Sequence, residues 1–189
     1  CDMPPQKAFL FIPQKLIINQ GVCRKDKICG PIYERHPEIF TEHFDHEYLL
    51  MIVFVMHHVL IKEKSFWFPF WNIVNLSDMP MRWTEEEISE LQDAFLEKEI
   101  RQFRDEYFLE WDMVFEIFYN NKYEEAWPGI SDASKSKEEL KAEFEPIFYR
   151  CFNTIVTRCF GWGLPKTSLI PFADCINHHN VDSTYEFIC

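Results

Sequence analysis

A chain of 189 residues that is 47% hydrophobic and 17% aromatic can bury its own core and is too apolar to be a disordered tail. A formal net charge of −12, with no cluster of Lys and Arg, counts against nucleic acid as the main partner, because neutralising phosphates needs a basic face. Five glycines are too few for a glycine-rich phosphate-binding fold, and the longest apolar run, 48–56, is too short to span a bilayer.

Residues 8–12 form an apolar run closed by Pro13, and Leu16, Ile17 and Ile18 follow after a polar pair; both read as short strands joined by a turn. The stretch 21–37 mixes Gly, Pro and charge and reads as loop with a helical turn. From about Phe44 to Lys62 the pattern predicts a helix apolar almost all round, hence buried. Residues 65–80 read as an aromatic loop, with Phe66, Trp67, Phe68, Phe70 and Trp71 punctuated by Pro69 and Pro80 near the end. Thr84, followed three residues later by Glu87, is a capping-box signature: the hydroxyl accepts from the third amide while the carboxylate reaches back to the cap amide. Ile88, Leu91 and Phe95 then recur at helical spacing, and apolar residues continue through Ile100, Phe103, Tyr107, Trp111 and Phe118. One long helix or two in series is expected, with Phe54, Phe95, Phe103 and Trp111 in the core. Residues 129–137 read as a polar surface loop. Pro146 suits the first turn of a further helix running to about Cys159 and ended by Gly161 and Gly163. Residues 168–171 and 184–189 read as strands. Short strands, a helical middle and short strands again suit an α+β domain with a helical insertion.

The seven cysteines, at 1, 23, 29, 151, 159, 175 and 189, are odd in number and contain no CxxC pair, so neither a disulfide framework nor a zinc knuckle is signalled. No secretory signal is present, which points to a reducing interior, cytoplasmic or nuclear. The acidic residues mostly solvate helix faces, although an acidic surface can also attract a basic peptide. The chain starts at Cys1 and stops at Cys189 within a strand-like run, so it is expected to be a piece of a longer protein.

The densest polar cluster runs from Pro171 through Phe172, Ala173, Asp174, Cys175, Ile176, Asn177, His178 and His179 to Asn180. Taken alone it permits three readings. It is an ordinary loop whose Asp and Asn bond their own backbone; a metal site of Asp174, Cys175, His178 and His179; or a ligand loop following a buried strand. The metal reading is weakened because adjacent histidines rarely converge on one ion and no second ligand group has zinc-like spacing.

The run from Leu169 to His178 resembles the L-x-P-x-x-D-x-x-N-H segment of SET-domain protein methyltransferases of the Rubisco large-subunit methyltransferase type. Residues 155–160 resemble that family's V-x-[ST]-R-x-F helix end, and 64–70 its S-x-W-x-P-Y segment. Trp83 and Thr84 with Glu86, Glu87, Ile88 and Leu91 match W-x-x-x-E-[LI]-x-x-L, and Asp2 to Pro13 with Leu16 resemble its first strands. Five segments stand in family order. The resemblance implies a partial SET domain over 1–189 with a helical insertion at about 21–151, and S-adenosylmethionine as cofactor. It implies methyl transfer to a lysine side chain of a non-histone protein by a monomer, with no metal, nucleic acid or membrane involved. Carried over residue by residue, the cofactor site comprises Arg158, Asp174, Cys175, Ile176, Asn177 and His178. Backbone around Asn177 and His178 would read the adenine edge, and Arg158 would pair with the cofactor carboxylate or act as a helix C-terminal cation. The family's glycine-containing N-terminal segment would precede Asp2, and its catalytic Tyr would follow Cys189; Tyr185 lies too close to Asn177 to replace it. This stretch by itself is therefore expected to be inactive. The alternative is a non-catalytic, SET-like interaction domain.

Overall fold

The computed structural model describes residues 10–40, 47–74, 76, 78–161 and 164–176. It is mixed helix and sheet, with seven α-helices and one three-stranded antiparallel sheet among the described residues. The chain divides into two compact units, Cys1–Met51 with Ile155–Cys189, and Ile52–Thr154. No helix among the described residues is long and apolar enough to cross a membrane. The expected elements at residues 8, 9, 44 and 184–189, and Gly163, lie outside the described residues.

The first unit holds the sheet. Strands β1 (Ile18–Asn19), β2 (Cys159–Phe160) and β3 (Ser168–Leu169) are arranged β1-β3-β2, with β3 antiparallel to both neighbours. Ile18 pairs with Leu169 on one side, and Cys159 pairs with Leu169 on the other. Ile18 and Leu169 are buried, so the central pairing lies in the core. Of the two strands expected at 8–12 and 16–18, the described part of the first is not formed and the second forms only at Ile18. Residues 10–13 carry no regular structure, and Gln14–Leu16 make a single 3-10 turn in which the Leu16 amide donates to the Pro13 carbonyl. That turn satisfies the backbone locally, so only Ile18 of the apolar pair enters the sheet.

The stretch expected as loop contains two short helices, α1 (Gln20–Arg24) and α2 (Cys29–Arg35). Each begins at a short polar side chain. Asn19 Oδ1 accepts from the Val22 amide, and Asp26 Oδ1 accepts from the amides of Ile28 and Cys29 at 2.9 and 2.8 Å. Gly30 opens α2 against the end of α1: a Cβ there would stand 2.5 Å from the Arg24 carbonyl oxygen. Gly30→Ala is expected to lower the unfolding free energy by about 1–3 kcal/mol through overpacking, read as a shift of the urea midpoint. An unchanged midpoint would mean that α1 and α2 do not approach as described. Tyr33 on α2 donates to the Leu50 carbonyl and stacks edge-on against Phe40. Burial raises the thiols of Cys23 and Cys29, so neither is a nucleophile at neutral pH.

The buried helix expected from about 44 to 62 is α3 (Glu47–Leu60), whose residues 49–56 are each at most 1% exposed. In the second unit, the expected aromatic loop contains α4 (Phe68–Ile73), with Pro69 in its first turn and Phe70 and Trp71 buried. Pro69 costs nothing there because its missing N–H has no intrahelical partner.

The capping box forms as read: Glu87 N donates to Thr84 Oγ1 at 3.2 Å and Thr84 N to Glu87 Oε2 at 2.8 Å. The helix it starts, α5 (Glu85–Ser89), is short, however. Gln92 takes a positive φ of 53°, and Asp93 caps a separate helix, α6 (Ala94–Asn120), by accepting from the amides of Phe95 and Leu96. This break takes Phe95 off the stripe begun by Ile88. Phe95 is 73% exposed, which corrects its place in the expected core; Phe54 and Trp111 are buried and Phe103 is half-buried.

The last long helix, α7 (Lys137–Arg158), starts nine residues before Pro146, which therefore lies inside it rather than in its first turn. A second capping box explains the early start. Glu139 N donates to Ser136 Oγ, and Ser136 N donates to Glu139 Oε2 at 2.7 Å. Leu140, Phe144, Phe148 and Phe152, spaced four apart, are all buried, and their burial offsets the roughly 3 kcal/mol that an interior proline costs. Arg104 holds the 79–85 segment onto α6 through the carbonyls of Met81 and Trp83. Arg82 lies over the Tyr149 ring and pairs with Glu145.

Glu110, half-buried on α6, has its carboxyl pushed up to about 7 by burial and then by the charge of Glu106. An unfolded Glu titrates near 4.3, so the folded state binds this proton more tightly and stability falls as pH rises between about 4 and 7. Glu110→Gln should therefore gain about 1–2 kcal/mol at pH 8, discounted for partial solvent screening, and nothing at pH 4. Guanidinium unfolding at the two pH values measures this. An equal effect at both would contradict the assignment.

Candidate functional site

The site forms where α7 runs into the sheet. Arg158 is the last residue of α7, and β2 begins at the next position. The antiparallel register of Cys159 against Leu169 brings the end of α7 beside the end of β3, where the 171–176 loop departs. The loop turns back at once. Phe172 adopts a positive φ of 75°, uncommon for a residue with a side chain, and is followed by a 3-10 turn over Ala173–Cys175. The Asp174 amide donates to the Ile170 carbonyl at 3.2 Å, the Cys175 amide to Phe172 and the Ile176 amide to Ala173.

This fold-back aims Asp174 at Arg158. Arg158 Nη1 donates to Asp174 Oδ2 at 3.0 Å, a charge-assisted bond. The Asp174 side chain is 0% exposed and that of Arg158 21%, so the carboxylate is sealed from solvent. The Asp174 backbone remains partly exposed, which is why the residue as a whole is only half-buried. Cys175 Sγ lies 3.7 Å from the other carboxylate oxygen. Burial at its base, then the Asp174 charge, raises the Cys175 thiol above its ordinary range, so it stays protonated at neutral pH.

A carboxylate sealed from solvent against a guanidinium is poorly placed to take a proton from a substrate. Asp174 acts as a positioning residue that fixes the loop. The outward groups of the turn are the side chains of Phe172, Cys175 and Ile176, all exposed. Of the six residues expected to hold a cofactor, Arg158, Asp174, Cys175 and Ile176 thus lie in one loop and helix end, whereas Asn177 and His178 lie outside the described residues. The resemblance points Arg158 at a cofactor carboxylate or makes it a helix C-terminal cation; the structure places it at the end of α7, bonded to Asp174. No signal in the sequence marks this bond, because it rests on the pairing of two residues with two, 159–160 with 168–169.

The chain matches no protein-family model, no curated protein and no solved structure.

Proposed function

We propose that the protein is a SET-type, S-adenosylmethionine-dependent methyltransferase that modifies a lysine side chain of a non-histone protein in the cytoplasm or nucleus. One observation carries the reading. The segment that resembles the family's helix end, 155–160, and the described part of the one that resembles its Asn-His turn, 169–176, meet through the pairing of β2 with β3, and the Arg of the first is bonded to the Asp of the second. Sixteen residues separate Arg158 from Asp174 in sequence, and only that hairpin register brings them together.

The donor set suits one wall of a cofactor site. Arg158 carries a positive charge that a cofactor carboxylate could share with Asp174, and Cys175 and Ile176 present a soft, apolar edge suited to an adenine face. The amides of Asp174, Cys175 and Ile176 are all used within the turn, so the turn is held before any ligand arrives. When bound, the cofactor supplies an electrophilic methyl group on a sulfonium. The lysine amine, with a reference pKa of about 10.4, must lose its proton and be aimed in line. The family's catalytic Tyr and glycine-containing segment do that work, and the residues of this chain contribute the braced turn. The five cysteines among the described residues are free thiols, in keeping with a reducing compartment.

The test is calorimetry with S-adenosylmethionine on the protein extended through its natural flanking sequence, beside the same protein carrying Asn177→Ala. Saturable binding that the substitution abolishes in a folded protein is expected. Unchanged affinity would remove the assignment and leave the non-catalytic interaction domain.

A further inference from the structure

The outer face of α6 carries large apolar side chains where a surface helix ordinarily shows polar ones. Its buried side is complete: Ile100, Tyr107, Trp111, Val114 and Phe118 follow the helical repeat into the core. Leu109 and Met113, one turn apart, lie on the opposite side, roughly 180° from that stripe at about 100° per residue. Leu109 is 64% exposed and Met113 40% exposed, and Phe95 continues the same strip two heptads earlier.

The charge beside this strip has one sign. From Asp105 to Asn120 the helix holds Asp105, Glu106, Glu110, Asp112 and Glu116 and no Lys or Arg. Glu106 and Glu110 run along one edge of the Leu109–Met113 pair, and Asp105 and Asp112 along the other. Lysines of α7 take two of the five acids, Asp112 pairing with Lys141 and Glu116 with Lys137. Among the described residues, Glu106 accepts from the neutral Gln102 amide and has no ion pair, and neither do Asp105 and Glu110. Lys141 reaches this edge through its pair with Asp112, and Lys98 lies on the same side of the helix toward Phe95.

We infer that the outer face of α6 from Asp105 to Met113 is a docking surface for a basic amphipathic helix of a partner protein. Leu109 and Met113 receive its apolar stripe, and Asp105, Glu106 and Glu110 receive the lysines or arginines beside that stripe. Charge chooses among occupants. A second copy of this chain brings a net charge of −12 against the same acids, and an anionic membrane surface is repelled likewise. A cationic helix gains both terms, burying apolar side chains in helix-in-groove fashion while pairing with acids that lack a cation. The raised Glu110 carboxyl fits the same picture, because a partner's cation beside it would restore its ionised form.

The probe is a fluorescein-labelled 18-residue peptide of Leu and Lys with Leu at heptad a and d positions. Its anisotropy is followed against the full chain at low and high salt, beside a scrambled peptide of the same composition. Saturable binding is expected, at least tenfold tighter than that of the scrambled peptide. Leu109→Ser with Met113→Ser should weaken it at least tenfold. Glu106→Gln with Glu110→Gln, which alters no buried apolar packing, should weaken it at least fivefold and flatten its salt dependence. Equal binding of the two peptides, or affinity indifferent to both variant pairs, would overturn the proposal. So would dimers in sedimentation that Leu109→Ser dissociates, or co-sedimentation with phosphatidylserine vesicles.

Discussion

Trp127→Ala is expected to lower the unfolding free energy by about 3–5 kcal/mol, whereas Phe95→Ala changes it by less than about 0.5 kcal/mol. Both residues are large aromatics of the same unit, and only their surroundings differ. Trp127 has no exposed surface and lies in a layered stack, with ring centroids 4.0 Å from Phe118, 5.8 Å from Phe144 and 6.1 Å from Trp111. Truncation leaves a cavity lined by rigid rings from α6 and α7, which cannot collapse around a methyl group. The indole Nε1 of Trp127 is buried and has no hydrogen-bond partner among the described residues. Trp127→Phe therefore loses contact area but also removes an unsatisfied donor, and should cost only about 1 kcal/mol. Denaturant unfolding followed by near-ultraviolet circular dichroism reads all three. A Phe95→Ala cost above about 2 kcal/mol would mean that α6 is rotated from the face described.

The second large effect concerns the loop after β3. Arg158→Ala strands the Asp174 carboxylate, which has no exposed surface of its own, and is expected to cost about 2–4 kcal/mol. The lower end of that range reflects the partial exposure of the guanidinium, which lets water reach the pair. Removing both partners costs less than the sum of the two single changes, because the uncompensated charge disappears with Asp174→Ala. A double-mutant cycle isolates the coupling. If the single effects simply add, the 3.0 Å contact does not hold the loop.

Features written in local chemistry were the legible ones. The Thr84 and Glu87 capping box was readable because its reciprocal bonds depend on two side chains three positions apart. The same pattern stands at Ser136 and Glu139, but Pro146 looks like the stronger helix start in the sequence. Burial of four apolar side chains on α7 outweighs one proline, and no local rule reports that. The short helices α1 and α2 were hidden because Gly21, Gly30 and Pro31 look like loop, while their caps, Asn19 and Asp26, are single side chains. Phe95 misled for the opposite reason: its spacing from Ile88 and Leu91 is helical, but the positive φ of Gln92 breaks the register between them. In the candidate site, the residue types were legible from the Asp174 to His178 motif. The Arg158–Asp174 bond was not, because it depends on a two-residue strand pairing too short to leave a periodic trace.

We propose that this chain holds the braced cofactor turn of a protein methyltransferase. Methyl transfer from tritiated S-adenosylmethionine to a cell extract tests it most directly. Three proteins are compared: the chain extended through its natural flanking sequence, that protein with Asn177→Ala, and the 189-residue chain. Labelled protein with the first and none with the other two, all three folded by circular dichroism, is the expected result. Turnover by the 189-residue chain equal to that of the extended protein, or no loss with Asn177→Ala, would contradict the account.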